Sequence, residues 1–387
     1  FKITPDGAFT PLYSFSYIDG DTPTAGLVQG TDGNFYGTTF QGGSNVDYGT
    51  VFQISSDGAF NSLYSFTNGI DGANPYGGLA QGTNGAFYGT TVNGGSNNNG
   101  AVFEITSTGT LTSLYSFTNG ADGSQPRAAL TMAIDGNFYG TTYYGGGNHD
   151  GTLYRITQQG PLTQLHSFSG GGDGANPLGQ LVASTHGALY GTTYTGGTNG
   201  GGTIFSISIS GTFSVLYSFT GGIDGANPGA GLAQGSDGNF YGTTYAGGPN
   251  GNGGIFKITP QGALTPLYLF SGGNDGASSY AKLAQGSDGD FYGTTQFGGA
   301  DGNGVVFKAN LISNAPVLTS ITRTNGNIDI TWSGQPGNLF QAQYATNLTL
   351  TNWSDLGPPV IATNGFGSQI DSAPSSMQRF YRVFVVP

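Results

Sequence analysis

Ala86-Phe87-Tyr88-Gly89-Thr90-Thr91 and Ala101-Val102-Phe103-Glu104-Ile105-Thr106 are short runs of aromatic and β-branched residues, separated by Gly94-Gly95 and an Asn-rich loop. Such residues favour a pleated strand. Neither run has the three-and-four spacing of an amphipathic, capped helix. Upstream, Gly78-Leu79-Ala80-Gln81 is closed by Thr83-Asn84-Gly85, and an Asn-Gly pair favours a tight hairpin. Downstream, Thr108-Gly109 turns the chain into residues 111–117. Residues 78–117 thus read as four antiparallel strands.

The same reading recurs along the chain. Tyr-Gly-Thr-Thr begins at Tyr36, Tyr88, Tyr139, Tyr190, Tyr241 and Tyr292, in steps of 52, 51, 51, 51 and 51 residues. A Gly-x-[VLI]-[FY] phrase places rings at Phe52, Phe103, Tyr154, Phe205, Phe256 and Phe307, every step 51. A Leu-[YH]-x-Phe phrase ends at Phe15, Phe66, Phe117, Phe168, Phe219 and Phe270, again every step 51. Four strands per period match a propeller blade, whereas a parallel β-helix needs much shorter coils. The expected fold is all-β, with a β-propeller of four-stranded blades over residues 1–309. Six blades follow from the residues present, and seven or more would fit a longer parent chain.

The ends of the repeat bear on closure. Phe1 lies 51 residues before Phe52, so residues 1–4 are a seventh copy of the third strand, and an upstream segment is expected. The final repeat lacks its fourth strand, and pairing residues 8–15 beside 304–308 is expected to close six blades and remove the open edge. A linker follows at 310–315. Residues 316–387 then alternate as strands around Trp332, Phe340 and Phe380-Tyr381-Arg382-Val383, as a small β-sandwich of the fibronectin type would.

Charged residues make up 8% of the 387, where a soluble domain has roughly 25%. The 73 glycines and 17 prolines bring disorder into question, but 13% aromatic content supplies enough apolar surface to offset ordering entropy. There is no cysteine, hence no disulfide or thiolate metal site. No run approaches the roughly 18 apolar residues of a membrane span. Residues 1–309 carry 18 acidic and 6 basic side chains, and an acidic body repels polyphosphate, so nucleic acid is excluded as a partner. Few Lys and Glu beside abundant Gly, Asn, Ser and Thr read as an extracellular or cell-surface product.

The three recurring phrases resemble the Gloeo–Verruco tandem repeat of surface-associated bacterial proteins, from Phe1 to about Lys308. The paired glycines Gly42-Gly43, Gly94-Gly95, Gly145-Gly146, Gly196-Gly197, Gly247-Gly248 and Gly298-Gly299 resemble the double glycine of kelch blades. The tail from Trp332 to Val383 resembles a C-terminal sandwich of verrucomicrobial secreted proteins. The resemblance implies an exported protein with varied anchoring modules and no established activity.

Chemistry is expected on the face that carries the longer loops, since binding usually resides on loops over a rigid scaffold. Those loops carry Asp19, Asp71, Asp122, Asp173, Asp224 and Asp275, and the amides Asn45, Asn97, Asn148, Asn199 and Asn250 with Asp301 at the sixth position. A ring of such oxygens could take Ca²⁺ or sugar hydroxyls. Equally, Asp and Asn build Asx turns, and their presence in every blade favours that structural role. No cofactor is required. The partner is a glycan or another surface protein.

Catalytic propellers fail by subtraction. A sialidase-type site needs clustered arginines, and 1–309 holds Arg127 and Arg155 alone. A copper-radical oxidase needs a cysteine, and a quinone dehydrogenase stacks its cofactor on tryptophan, which the repeats lack. Glu104 shares its repeat position with Gln53, Arg155, Ser206, Lys257 and Lys308, which marks a solvated face rather than an acid catalyst. A pair of loop aspartates remains as the carbohydrate-active alternative. His149, His166 and His186 fall on different parts of the blade and share no metal. Residues that break the repeat would discriminate scaffold from specific site: Asp21, Asp47, Tyr48, Arg127, His149, Asp150, Tyr280 and Lys282.

Overall fold

The computed structural model describes the chain except residues 5, 46, 185–186, 312–316, 325–326, 334–338, 347–352, 362–365, 373–378 and 386–387. His186 therefore lies outside the described residues, as does most of the 310–315 linker. Among the described residues there is no helix, and hence none long and apolar enough to cross a membrane. The chain divides into two compact units: Phe1–Gln234, Phe240–Ala284 and Tyr292–Lys308 form one, and Gly235–Asn239, Gln285–Phe291 and Ala309–Pro387 the other.

Blade one is the antiparallel sheet Val28–Gln29, Phe35–Thr39, Thr50–Ile54 and Phe60–Ser65. Blade two repeats it as Ala80–Gln81, Phe87–Thr91, Ala101–Ile105 and Leu111–Ser116, and blades three to five follow with the same order. Blade six stops after Ala284–Gln285, Phe291–Thr294 and Val306–Ala309.

The Tyr-Gly-Thr-Thr tetrad is a set of structural joints. The Tyr36 hydroxyl donates to Asp32 Oδ2 at 2.7 Å, tying the second strand to its own hairpin turn. Gly89 leaves room for the Phe103 ring, which a Cβ there would strike. Thr90 Oγ1 donates to Ala128 O of the next blade at 3.1 Å, and Thr38, Thr192 and Thr243 make the same bond forward. Thr142 Oγ1 accepts from Thr152 N at 3.0 Å and donates to Tyr144 O at 2.9 Å, clasping the loop between strands two and three.

Both aromatics before that glycine pack between blades. Tyr36 stacks on Phe87 with centroids 4.0 Å apart, Tyr88 meets Phe138 at 4.4 Å, and Tyr190 meets Phe240 at 4.2 Å. Phe87, Tyr88, Phe138 and Tyr139 are all buried. The tyrosine serves the following blade and the phenylalanine the preceding one. The outer strand adds Phe66 on Phe103 and Phe117 on Tyr154, edge to face at 5.2 and 5.3 Å. Such pairs add roughly 0.5–1.5 kcal/mol beyond their area.

Closure differs from expectation. Residues 8–15 do not pair with 304–308. Phe9–Thr10 pairs with Lys2–Ile3, in the register Lys2↔Thr10 and Ile3↔Phe9. The stub brings its own third-strand partner, and a local hairpin costs less loop entropy than joining opposite ends of the chain. Leu27 is consequently 48% exposed, whereas its counterpart Leu79 is 5% and the other four are lower still. Val306 is 45% exposed where Val51, Val102, Leu153 and Ile204 are fully buried. Five blade-to-blade junctions are packed, and the preceding side of blade one is covered only in part, by Tyr13 on Phe60 and Phe15 on Phe52 with centroids 3.9 and 5.2 Å apart.

In the C-terminal unit, Val317–Thr324, Asn327–Ser333 and Phe366–Asp371 form one sheet. Leu339–Ala345 pairs with Ser354–Asp355, Val360–Ile361 and Phe380–Val385 in a second. Ile330 and Trp332 from the first sheet share a core with Phe340, Ala342 and Leu356. Asp371, buried, takes Arg379 Nη1 at 2.6 Å and the Tyr381 hydroxyl at 2.8 Å.

Candidate functional site

The loop carboxylates are turn acceptors. Asp71 Oδ2 takes Thr67 N at 2.8 Å and the Tyr64 hydroxyl at 3.1 Å, while Oδ1 takes Thr67 Oγ1 at 2.6 Å and Gly69 N at 3.0 Å. Asp122, Asp224 and Asp275 repeat the bonds from a Thr or Ser and from the tyrosine seven residues earlier. At Asp173 the tyrosine is His166, whose Nε2 stands 3.0 Å from Oδ2 while its ring stacks on Phe213 at 3.8 Å. Burial raises the Asp224 pKa, but the bonds from Thr220 and Tyr217 outweigh it, and the carboxyl sits below its ordinary value.

The other loop residues are dispersed. Asn97 Nδ2 and Asn148 Nδ2 donate to Phe117 O and Phe168 O at 3.3 and 3.4 Å. Asn199 and Asn250 are exposed. Tyr48 packs against the core between blades one and two. His149 occupies an exposed turn at φ 64°, and Asp47 stands at the equivalent position with φ 70°. Among the described residues, no three of His, Asp and Glu gather as metal ligands.

Glu104 is more engaged than a solvated face implies. It accepts from the Tyr88 hydroxyl at 3.0 Å and from Asn84 Nδ2 at 2.8 Å. Blade two has Asn84 where blade one has Asp32, so Glu104 supplies the carboxylate that the tyrosine needs.

A different set of residues meets at the axis. Two positions of the repeat change from blade to blade: Thr24, Tyr76, Arg127, Leu178, Gly229 and Tyr280 precede the inner strand, and Phe40, Val92, Tyr143, Tyr194, Tyr245 and Gln296 follow the second. Thr24, Tyr76, Arg127, Leu178 and Tyr280 line one cavity of about 460 Å³ with Tyr143, Tyr194 and Gln296. A Leu just before the inner strand is buried in blades two to six, and the residue three positions earlier lines the cavity in every blade but the fifth, where it is Gly229. Its lining residues stand beside the longer loops, just before the inner strands and just after the second strands.

Its lining is built by mutual support. Gly229 has no side chain, and a Cβ there would lie 2.5 Å from Tyr280 Cδ1, so Tyr280 fills that gap. Its hydroxyl stands 3.0 Å from the Tyr194 hydroxyl, and its ring meets Tyr245 at 4.4 Å. Burial, then the Tyr194 bond, holds the Tyr280 phenol well above its ordinary pKa, so it is neutral. The Arg127 guanidinium lies over the Tyr143 ring at 4.0 Å, and its Nη2 donates to Gln125 Oε1 at 3.2 Å. Two residues beyond Tyr280, Lys282 reaches Gln180 Oε1 at 3.5 Å, and desolvation lowers its pKa. No carboxylate lines the cavity among the described residues.

Of the repeat-breaking residues, Arg127 and Tyr280 meet here, with Lys282 adjoining. Asp47 instead accepts from Gly42 N at 3.0 Å in its own loop. Sequence reading missed Tyr76, Tyr143 and Tyr194, although the two variable positions carry them in plain view.

Residues 1–186 and 158–346 match the model of the Gloeobacter/Verrucomicrobia repeat. No curated protein matches the chain in sequence. The crystal structure of puromycin hydrolase is similar over 83% of this chain and 51% of that one, with 13% identity and a TM-score of 0.50. The chain thus spans about half the length of that protein, and at such identity the likeness concerns the fold alone. A protein of unknown function from Dyadobacter fermentans is similar over 89% of this chain and 93% of that one, at 10% identity and a TM-score of 0.38.

Proposed function

This chain belongs to the Gloeobacter/Verrucomicrobia repeat family, and we propose that it is a non-enzymatic binding scaffold, secreted or held at the cell surface, whose ligand is a glycan. In this reading the double-glycine blades are kelch-like, and the C-terminal unit is a fibronectin-like spacer or docking module. One observation carries it: two of the positions that vary between blades contribute Thr24, Tyr76, Arg127, Leu178, Tyr280, Tyr143, Tyr194 and Gln296 to one cavity of about 460 Å³. A scaffold feature appears in every blade, whereas a ligand site needs chemistry that differs around the ring. Tyrosine rings offer flat apolar faces to a sugar and hydroxyls to its rim.

A carbohydrate-active enzyme would need two carboxylates flanking the bond to be cut. The loop aspartates are committed to turns, which favours binding over hydrolysis. The Ca²⁺-stabilised adhesin is disfavoured for the same reason, because Asp71 already accepts four N–H or O–H donors. The test is a glycan array and a hydrolysis screen on the full chain beside Tyr280→Ala. Retention of a glycan by the native chain, its loss in the variant and no released sugar are expected. Hydrolysis would establish the enzyme instead, and a chelator that lowers the melting temperature would restore the adhesin.

A further inference from the structure

Residues 1–309 hold 6 basic side chains among 18 acidic ones, and two of the six stand at the axis. Arg127 lines the cavity, and Lys282 lies two residues beyond the lining Tyr280, just before the inner strand Ala284–Gln285. Neither has a carboxylate partner among the described residues. The polar partner of Arg127 is Gln125 and that of Lys282 is Gln180, both neutral. Arg127 is half-buried and Lys282 exposed, so both can meet a ligand.

The scaffold does not require either cation. The position of Arg127 is Thr24, Tyr76, Leu178, Gly229 or Tyr280 in the other blades, and that of Lys282 is Gly26, Gly78, Ala129, Gln180 or Gly231. Stacking on Tyr143 fixes the guanidinium plane, and one bond to Gln125 leaves most of its five N–H donors for another acceptor. An unpaired fork in a cavity with no carboxylate among its lining residues, with Lys282 two residues from the lining Tyr280, suits a planar or tetrahedral oxyanion.

We infer that the axial cavity selects an acidic saccharide, its carboxylate or sulfate on Arg127 and Lys282 and a sugar ring against the tyrosines. This rests on the glycan reading above and adds the charge of the ligand.

The experiment is calorimetric titration of the full chain with three oligosaccharides of equal length: oligogalacturonate, a sulfated galactan fragment and a neutral galactan fragment. Inorganic sulfate alone is the fourth arm. Arg127→Leu and Lys282→Gln are the variants, because Leu178 and Gln180 already occupy those positions in blade four, and melting temperatures check that both fold. At least one acidic oligosaccharide is expected to bind about tenfold or more tighter than the neutral one. Each variant is expected to lose that preference while keeping any weaker neutral binding, and added salt is expected to weaken the acidic arm alone. The preferred acid, uronate or sulfate ester, identifies the anion. Equal binding of neutral and acidic chains overturns the inference and leaves the glycan reading intact. Sulfate binding as tightly as any saccharide overturns both, as does binding of no arm. Variants that fold and keep the acidic preference overturn the inference alone.

Discussion

Tyr154 is the residue at which this repeat departs from its own rule. Blades one, two, four, five and six have phenylalanine at that position, and blade three carries a hydroxyl into the same buried space. That hydroxyl has no hydrogen-bond partner among the described residues, and burial drives its pKa far upward. An unsatisfied buried polar group costs about 1–3 kcal/mol. Tyr154→Phe is therefore expected to raise stability by about 1–2 kcal/mol, read as a higher urea midpoint at unchanged slope. A lower midpoint would mean that the hydroxyl has a partner. Glu104 is the opposite case, a departure that is compensated. Glu104→Gln should lower the melting temperature, and adding Asn84→Asp should recover most of the loss by rebuilding the arrangement of Asp32 and Tyr36.

Between elements, the forward bond from the first threonine of four tetrads joins one blade to the next. Thr90 Oγ1 reaches Ala128 O, yet Thr141 Oγ1 is buried with no partner among the described residues. Thr90→Val should cost about 1 kcal/mol and Thr141→Val should be neutral or stabilising. Equal losses in denaturant unfolding would show that the bond contributes nothing and that shape alone matters. The double glycine has a similarly local cause. Gly94 has φ 71°, and a Cβ there would lie 2.6–2.8 Å from backbone atoms of Gly72 and Ala73. The Asp-Gly turn and the double glycine are thus one contact seen from two sides. Gly94→Ala is expected to cost about 2 kcal/mol or more, from strain at positive φ plus the clash.

At the scale of the whole molecule, blades two to five are each packed by a neighbour on either side, while an open seam is left where blade one is covered only by Tyr13 and Phe15 and blade six has no fourth strand. In a repeat array stability is a sum of blade and interface terms, and the ends open first. Hydrogen exchange should be slowest in the second and third strands of blades two to five and fastest in Lys2–Ile3, Phe9–Thr10 and Val306–Ala309. Uniform protection across all blades would show that the seam is closed in solution. The repeated tyrosines set an alkaline limit as well. Burial first, and then a neighbouring carboxylate, pushes Tyr36, Tyr64, Tyr115, Tyr139 and Tyr217 up to about 12. A phenol whose folded value exceeds its unfolded value of about 10 stabilises the fold below pH 10 and loses that contribution as pH rises toward 12. Alkaline unfolding with cooperative tyrosinate absorbance in that window is expected. Titration near pH 10 with the fold intact would contradict it.

Much of the blade was legible in the amino-acid order, because everything that makes a blade lies within one period or its neighbour: strand residues, turn residues, the tetrad and the rings around it. Six copies in register also showed which residues serve shape, and the hydrogen bonds of Asp71 and its counterparts agree with that. Tertiary structure decided two further things. One is the seam, where two copies of the third strand compete for an outer partner and the nearer one prevails through loop entropy. The other is the site. Thr24, Tyr76, Arg127, Leu178 and Tyr280 stand about a blade apart along the chain and face one another because successive sheets turn about an axis. No periodicity within a single blade reveals which of its residues that rotation brings to the centre.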